Sequence, residues 1–205
     1  MISIKVSQTA MTMYDLFPIA NSFWDNFAII IPEGPFLRFK TEEMKPTVII
    51  LCGIPTSGKS TWADSYQKNE YIRYHGEDIR IPRIISRDKI RLDTFGIKYK
   101  QNNKDEQLVT EIFDKMITLC IDNKLNIIID NAHTVAKYLN ASINRFKSTD
   151  YTINVKFFDI PLWLAYYRNI TRRWRTGKWI PFNVIKRMKK NFKNLNKKDY
   201  AKYKL

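Results

Sequence analysis

The feature that most constrains the fold is an apolar run followed at once by a glycine-containing loop. The run PTVIILCG begins at Pro46 and ends at Gly53, where the loop GIPTSGKS begins. A continuous apolar run of strand length is typical of a strand buried on both faces, which indicates a parallel sheet. Residues 60–68 fit a helix. The sequence therefore predicts a strand, a tight loop and a helix in direct succession.

The loop matches the pattern G-x-x-x-x-G-K-[ST], which binds nucleotide phosphates when it joins a strand to a helix. Backbone N–H groups and the helix N-terminus converge on the phosphate oxygens, and Lys59 neutralises charge between the β- and γ-phosphates. The Ser60 hydroxyl is placed to ligate Mg²⁺. We expect ATP, because the N-K-x-D pattern that reads guanine is absent. The predicted nucleotide-binding residues of the loop are Gly53, Ile54, Pro55, Thr56, Ser57, Gly58, Lys59, Ser60 and Thr61.

Strand and helix patterns alternate along the rest of the chain. IPRIIS, LNIIID and INVKFFDI read as strands, and residues 89–95, 105–123 and 135–146 as helices. In the helix predicted at residues 105–123, we expect one buried face formed by Leu108, Ile112, Met116 and Leu119. This order predicts an α/β chain with the P-loop NTPase fold, an open and mainly parallel sheet flanked by helices. We predict a domain at residues 46–205 and a small appendage at residues 1–45.

Two carboxylates and two arginines are candidates for the chemistry. Asp130 ends LNIIID and should emerge beside the phosphate-binding loop, where it can hold Mg²⁺ and the nucleotide. Asp88 starts a helix after the second strand and can accept the proton of a hydroxyl nucleophile, while Arg91, one turn on, can hold an anionic group. Arg168 and Arg172 lie four residues apart, so both can face a transferring phosphoryl group. The sequence leaves open which of Arg172, Arg173 and Arg175 points inward.

Positive charge is concentrated at the C-terminal end. The formal charge is +15, and residues 168–205 contain 14 Lys or Arg against one Asp, a net of +13. Such a segment favours nucleic acid as a partner, and Trp174 and Trp179 could stack on bases there. We expect Phe182 and Phe192 to be core residues instead.

Cysteine and histidine supply no predicted site. The two cysteines form no metal or disulfide pattern, and no stretch is long and apolar enough to span a membrane, so we expect a cytoplasmic protein with no membrane partner. His75 and His133 have no neighbours at metal-ligand spacing and are interpreted as structural or exposed.

In order along the chain, four segments resemble the kinase domain of bacteriophage-type polynucleotide 5′-hydroxyl kinases. They are GIPTSGKSTWA, SRDKIR, IIIDNAHT and FFDIP followed by YYRNITRR, within residues 46–192. The resemblance implies that Asp88 is the general base and that Arg87 and Arg91 belong to the acceptor-binding motif. It also implies that Asp130 lies near metal and nucleotide and that Arg168 and Arg172 belong to a lid helix.

The predicted activity is transfer of the ATP γ-phosphoryl group to the 5′-hydroxyl end of RNA or DNA. Two alternatives remain open. One is a kinase of a small acceptor such as a nucleoside, and the other is an ATP-dependent nucleic-acid-binding switch without transfer. The presence of Asp88 together with Arg91 distinguishes a kinase from such a switch, because a switch that transfers no phosphoryl group does not need a general base.

Overall fold

A computed structural model describes residues 45–74, 81–96 and 102–203 of the chain. The predicted appendage up to residue 44 and the predicted structural role of His75 lie outside these ranges.

Four parallel strands form one sheet in the order β2-β3-β1-β4. The central strands are fully or almost fully buried, as the apolar runs predict. The parallel α/β prediction is confirmed. The strands are β1 (Thr47–Gly53), β2 (Arg83–Ile85), β3 (Ile127–Asp130) and β4 (Thr152–Phe158).

Helices connect the strands and extend beyond the last one. Pro161 and Pro181 immediately precede α5 and α6, because a residue without an N–H is well tolerated at a helix start. Among the described residues, no helix is long and apolar enough to cross a membrane. The α-helices are α1 (Lys59–Arg73), α2 (Arg87–Phe95), α3 (Asn103–Asp122), α4 (Ala136–Asn144), α5 (Leu162–Thr176) and α6 (Phe182–Lys193), followed by a 3₁₀ helix (Lys197–Tyr203).

The packing of α1 on the sheet fixes the position of the loop between them. Ile49, Leu51 and Ile128 form a buried cluster with Ala63 of α1, and Trp62 packs against it. Each fully buried Ile or Leu stabilises the fold by about 1.5–3 kcal/mol. The loop is therefore held at both ends by this buried cluster.

The predicted buried face of α3 was wrong in part. Leu119 is exposed, and Leu108 and Ile112 are only half-buried, whereas Met116 is buried as expected. The buried face of the helix is shifted by about one residue from the predicted face. This orientation buries the Phe113 ring. The face consists of Val109, Phe113, Met116, Ile117 and Cys120.

The two phenylalanines expected in the core behave differently. Phe192 is 1% exposed, as predicted, and contacts Phe157 of β4 with ring centroids 6.3 Å apart. Phe182 is 38% exposed, so that prediction was wrong. It lies at the start of α6 and packs against Trp179 and Tyr166 instead of against the sheet.

Candidate active site

The loop between β1 and α1 has the backbone conformation of an anion cradle. Thr56 and Gly58 both have positive φ values, of 61° and 94°. For the β-branched Thr56 this is a strained conformation, and its hydroxyl donates to the carbonyl of Ala165, 3.0 Å away. Gly58 is the N-cap of α1 and supplies no side-chain cap. The first N–H groups of α1 are therefore directed out of the helix end, where they favour an anion.

Gly53 has no room for a side chain. A Cβ placed there would lie 2.7 Å from the carbonyl oxygen of Phe158 and 2.9 Å from the Ser57 hydroxyl. The Gly53 N–H donates to the Ala132 carbonyl at 2.9 Å. The loop thus begins at a point where β1, β4 and the segment after β3 approach one another closely.

Lys59 carries the buried positive charge of the loop. Its ammonium group donates to the carbonyls of Gly53 and Ile54, at 3.0 and 2.9 Å, and its residue is 7% exposed. Burial lowers the pKa of Lys59, and the nearby Asp130 carboxylate opposes that shift. A buried cation among oriented dipoles is suited to bind a phosphate, which would neutralise it.

Ser60 and Asp130 meet at the edge of the sheet. Asp130 is paired with Leu51 in the parallel register of β1 and β3, so both strands deliver their last residues to the same edge. The Ser60 hydroxyl donates to the Asp130 carboxylate at 2.5 Å. Burial raises the pKa of Asp130, and the hydrogen bond from Ser60 opposes that change.

The donors at this edge fit a magnesium ion. A hydroxyl and a carboxylate are hard oxygen ligands of the kind Mg²⁺ prefers, with substrate phosphates and water supplying the rest. Across the described residues, no group of three or more His, Cys, Asp or Glu side chains is arranged to hold a metal ion. A metal held by one or two protein oxygens and the nucleotide is consistent with both observations.

Helix α5 brings its predicted arginines towards the loop. Arg168 Nη1 donates to the carbonyl of Thr56 at 3.4 Å. The charge of Arg172 contributes to the lowered pKa of Lys59, so Arg172 also acts on the loop. Arg173 lies over the Trp179 ring, 5.3 Å from its centroid. Arg173 therefore packs on an aromatic ring, whereas the role of Arg172 at the site stays a prediction.

Asp88 lies in the first turn of α2, with a side chain that is 83% exposed. Its charge acts on both Lys59 and Asp130, whose pKa values it raises. Arg91 donates to Asp88 at 2.5 Å. The structure therefore brings Asp88 and Arg91 together and places the carboxylate within electrostatic reach of the phosphate-binding loop.

Glu106 of α3 organises the two arginines of α2, a role that the sequence did not suggest. It accepts two hydrogen bonds from Arg91, at 2.6 and 2.9 Å, and one from Arg87 at 3.2 Å. Arg87 also donates to the Thr110 hydroxyl at 2.8 Å. The bonds from Arg91 contribute most to lowering the pKa of Glu106 to about 2. Glu106 is therefore ionised and holds Arg91 in place.

Asn131 and His133, which follow β3, are also structural supports of the site. The Asn131 side chain accepts from the Arg87 backbone N–H at 3.2 Å and so joins the end of β3 to the start of α2. His133 is buried, with Nδ1 2.8 Å from the carbonyl of Leu51 and Nε2 2.9 Å from the Ser142 hydroxyl. Because a carbonyl only accepts, Nδ1 carries the proton of the neutral ring.

The parallel sheet, the glycine loop and the Lys59, Ser60 and Asp130 set define a P-loop domain of the kinase type. A family model described as "AAA domain" matches residues 48–195, well over half of the chain. The chain belongs to this family.

Comparisons with individual proteins agree with that assignment. The L-seryl-tRNA(Sec) kinase of Methanococcus maripaludis is 28% identical over 71% of this chain and 52% of its own length. A candidate bifunctional polynucleotide kinase/RNA ligase of Autographa californica nuclear polyhedrosis virus is 27% identical over 75% of this chain and 22% of its own length. A chain of the Pnkp1/Rnl/Hen1 RNA repair complex superimposes with a TM-score of 0.64 at 27% identity, over 81% of this chain and 50% of that one.

The chain thus spans about half or less of the length of these relatives. The resemblance to polynucleotide kinases that the sequence motifs indicate is confirmed at the level of the domain.

Proposed function

We propose that this domain is an ATP- and Mg²⁺-dependent kinase of the 5′-hydroxyl ends of RNA or DNA. The observation that carries the proposal is the position of Asp88. An exposed carboxylate in the first turn of a helix, electrostatically coupled to Lys59 and Asp130, is suited to receive a proton beside a bound triphosphate.

The proposed reaction forms one bond and breaks one. Asp88 accepts the proton of the 5′-hydroxyl as the hydroxyl oxygen bonds to the γ-phosphorus. The bond from that phosphorus to the β,γ-bridging oxygen breaks, and ADP leaves with the bonding electron pair. Lys59, Arg168 and Arg172 stabilise the charge on the transferring group and the leaving oxygen.

Ser60 and Asp130 are the residues that would hold the metal, through the hydroxyl and the carboxylate that meet at 2.5 Å. A bound Mg²⁺ supplies neutralisation of phosphate charge and alignment of the β- and γ-phosphates. The loop from Gly53 to Thr61 binds the triphosphate through backbone N–H groups, with close approach permitted by Gly53 and Gly58.

Three features support a nucleic-acid acceptor over a small one. Residues 168–205 carry 14 basic side chains against one acidic, as expected for a surface that follows phosphates. Arg91, fixed by Glu106 beside Asp88, is positioned to contact an anionic group next to the reacting hydroxyl. The viral relative and the RNA repair complex carry polynucleotide kinase and RNA repair in their names.

The place of the reaction follows from the substrates. ATP and nucleic-acid ends are found together inside cells, so we propose cytoplasmic action. Because one relative is encoded by a virus, we extend this proposal to action inside a host cell.

A second candidate acceptor is the serine hydroxyl of a seryl-tRNA, because one relative is named as a kinase of that substrate. The same base and loop would serve either hydroxyl.

One competition assay separates the acceptors. The protein is incubated with γ-labelled ATP, Mg²⁺ and an equimolar mixture of 5′-hydroxyl RNA, 5′-hydroxyl DNA, seryl-tRNA and free nucleosides, with 5′-phosphorylated oligonucleotides as the matched control. We expect label on the 5′-hydroxyl oligonucleotides and none on the 5′-phosphorylated ones. Label on seryl-tRNA or nucleosides instead would assign the domain to those acceptors. ATP hydrolysis without transfer would reject the kinase proposal in favour of a switch.

A further inference from the structure

Helix α5 carries a row of large exposed side chains on one face. Trp163, Tyr167, Ile170 and Trp174 are spaced by four, three and four residues, which aligns them along the helix. Their exposures are 68%, 62%, 43% and 85%. We call this row the α5 stripe. Single exposed apolar residues are common, but a contiguous row of this kind marks a binding surface.

The C-terminal end of the α5 stripe opens into a cleft of about 540 Å³. The cleft is lined by Ile170, Arg173, Trp174, Trp179 and Phe182. The Trp179 and Phe182 rings contact each other edge to face, with centroids 4.9 Å apart. The Arg173 guanidinium lies over Trp179 at 5.3 Å. Ring faces and a guanidinium plane are the groups on which nucleobases stack.

The charge around the stripe is complementary to a polyanion. From Arg168 to Lys198 every charged residue is a Lys or an Arg. Arg173, Arg175 and Lys178 are interspersed in sequence with the aromatic residues Trp174 and Trp179. Rings interspersed with cations are typical of surfaces that bind single-stranded nucleic acid, where the rings contact bases and the cations contact phosphates.

An anionic membrane surface would also attract these cations, because interfacial helices combine Lys and Arg with Trp, Phe and Leu on the opposite face. The cleft favours nucleic acid, since the Arg173 guanidinium over the Trp179 ring offers the flat groups on which nucleobases stack. Ile170 is the one aliphatic member of the α5 stripe.

The stripe is joined to the phosphate-binding loop through its own helix. Ala165, between Trp163 and Tyr167, accepts the Thr56 hydroxyl at 3.0 Å, and Arg168 donates to the Thr56 carbonyl at 3.4 Å. From Trp163 to Trp174 the helix rises by about 16 Å, with close to one large side chain per turn. The stripe therefore belongs to the helix that contacts the phosphate-binding loop, and it lies on the face of that helix turned away from Arg168.

We propose that the α5 stripe and its cleft bind the acceptor strand downstream of its reacting 5′ nucleotide, with bases stacked on Trp163, Tyr167, Trp174 and Trp179. The identification of this strand as the acceptor rests on the proposed function. The proposal that the surface binds single-stranded nucleic acid does not.

The binding test uses fluorescence anisotropy with labelled single-stranded RNA and DNA of about 12 nucleotides, within the site sizes of such surfaces. Trp174→Ala should weaken binding by about 5- to 150-fold, the equivalent of ~1–3 kcal/mol for one stacked base. Trp174→Phe should recover most of the loss. Tyr138→Ala removes an exposed ring from α4, 62% exposed against 85% for Trp174, and is the control, so its affinity should equal that of the wild type.

A kinetic test separates positioning of the strand from damage to the reaction. The ratio of kcat/KM for a 12-nucleotide acceptor to kcat/KM for a dinucleotide should fall in Trp174→Ala, because the dinucleotide is too short to reach the whole row. An unchanged ratio would overturn the role of the stripe in acceptor binding.

Two further results would overturn the proposal. One is wild-type oligonucleotide affinity in Trp174→Ala. The other is a Trp174→Ala variant that loses binding to phosphatidylserine vesicles but keeps its binding to oligonucleotides, which would make the stripe a membrane surface. If the wild type phosphorylates no 5′ end while Trp174→Ala still loses oligonucleotide affinity, the proposed function fails and the nucleic-acid surface stands.

Discussion

Protonation of His133 should weaken the fold at mildly acidic pH. The ring is buried against β1, where Nδ1 donates to Leu51 and Nε2 accepts from Ser142. Burial lowers the pKa of His133 from 6.5 to about 4, and the charge of Lys59 adds to this. The folded state therefore binds this proton less readily than the unfolded chain.

The sign and size of the effect follow from linkage. The stabilising contribution of the neutral ring is fully present above pH 6.5 and is lost as pH falls from 6.5 to about 4. Each pKa unit is worth ~1.36 kcal/mol, so the complete loss is about 3 kcal/mol and the loss by pH 5 is about 2 kcal/mol. That is a large share of the ~5–15 kcal/mol stability of an ordinary domain.

The assay compares wild type with His133→Asn by urea unfolding between pH 8 and pH 5. Asn tolerates the positive φ of 45° at this position and can donate to the Leu51 carbonyl, but it does not titrate. The wild type should be the more stable protein at pH 8, and its advantage should shrink by about 2 kcal/mol at pH 5. If the difference in unfolding free energy between the two proteins stays constant with pH, the buried ring is not the titrating group.

Three other substitutions test the remaining parts of the site. Asp130→Asn should reduce transfer by at least ~10²-fold and raise the Mg²⁺ concentration needed for half-maximal rate, because an amide is a weaker ligand than a carboxylate; an unchanged Mg²⁺ dependence would remove Asp130 from the metal site. Gly53→Ala should destabilise the protein by about 1–3 kcal/mol and weaken ATP binding, since its Cβ would meet the Phe158 carbonyl at 2.7 Å. Gly177→Ala meets nothing within 4 Å and is strained only by its φ of +69°, so it should cost some stability but retain ATP affinity. Glu106→Gln should raise the KM for the oligonucleotide acceptor more than the KM for ATP, because Arg91 loses its ionised partner; equal changes in both constants would indicate a general loss of structure.

Local patterns were sufficient to predict the sheet and the position of Asp130 beside the phosphate-binding loop. The apolar runs that form β1 and β3 predict buried strands. The two strands end at the same edge of the sheet, where Ser60 and Asp130 meet. This succeeded because the carboxyl ends of parallel strands converge whatever the details of the connecting helices.

Features that depend on tertiary contacts were not predictable in the same way. Helix α3 has two apolar faces about one residue apart, and only tertiary packing selects the one with Val109 over the one with Leu119. Glu106 lies 15 residues from Arg91 in sequence, and no local motif connects the two. The exposure of Phe182 depends on the loop between α5 and α6, which places Trp179 against it.

The central claim is that Asp88 is the base in transfer from ATP to a 5′-hydroxyl end. The most direct test measures single-turnover transfer to a 5′-hydroxyl oligonucleotide by wild type, Asp88→Asn and Asp93→Asn, the last removing an exposed acid from the same helix. The account predicts a loss of ~10²- to 10⁴-fold for Asp88→Asn, with unchanged ATP affinity, and a rate close to wild type for Asp93→Asn. Equal rates in all three proteins would contradict it.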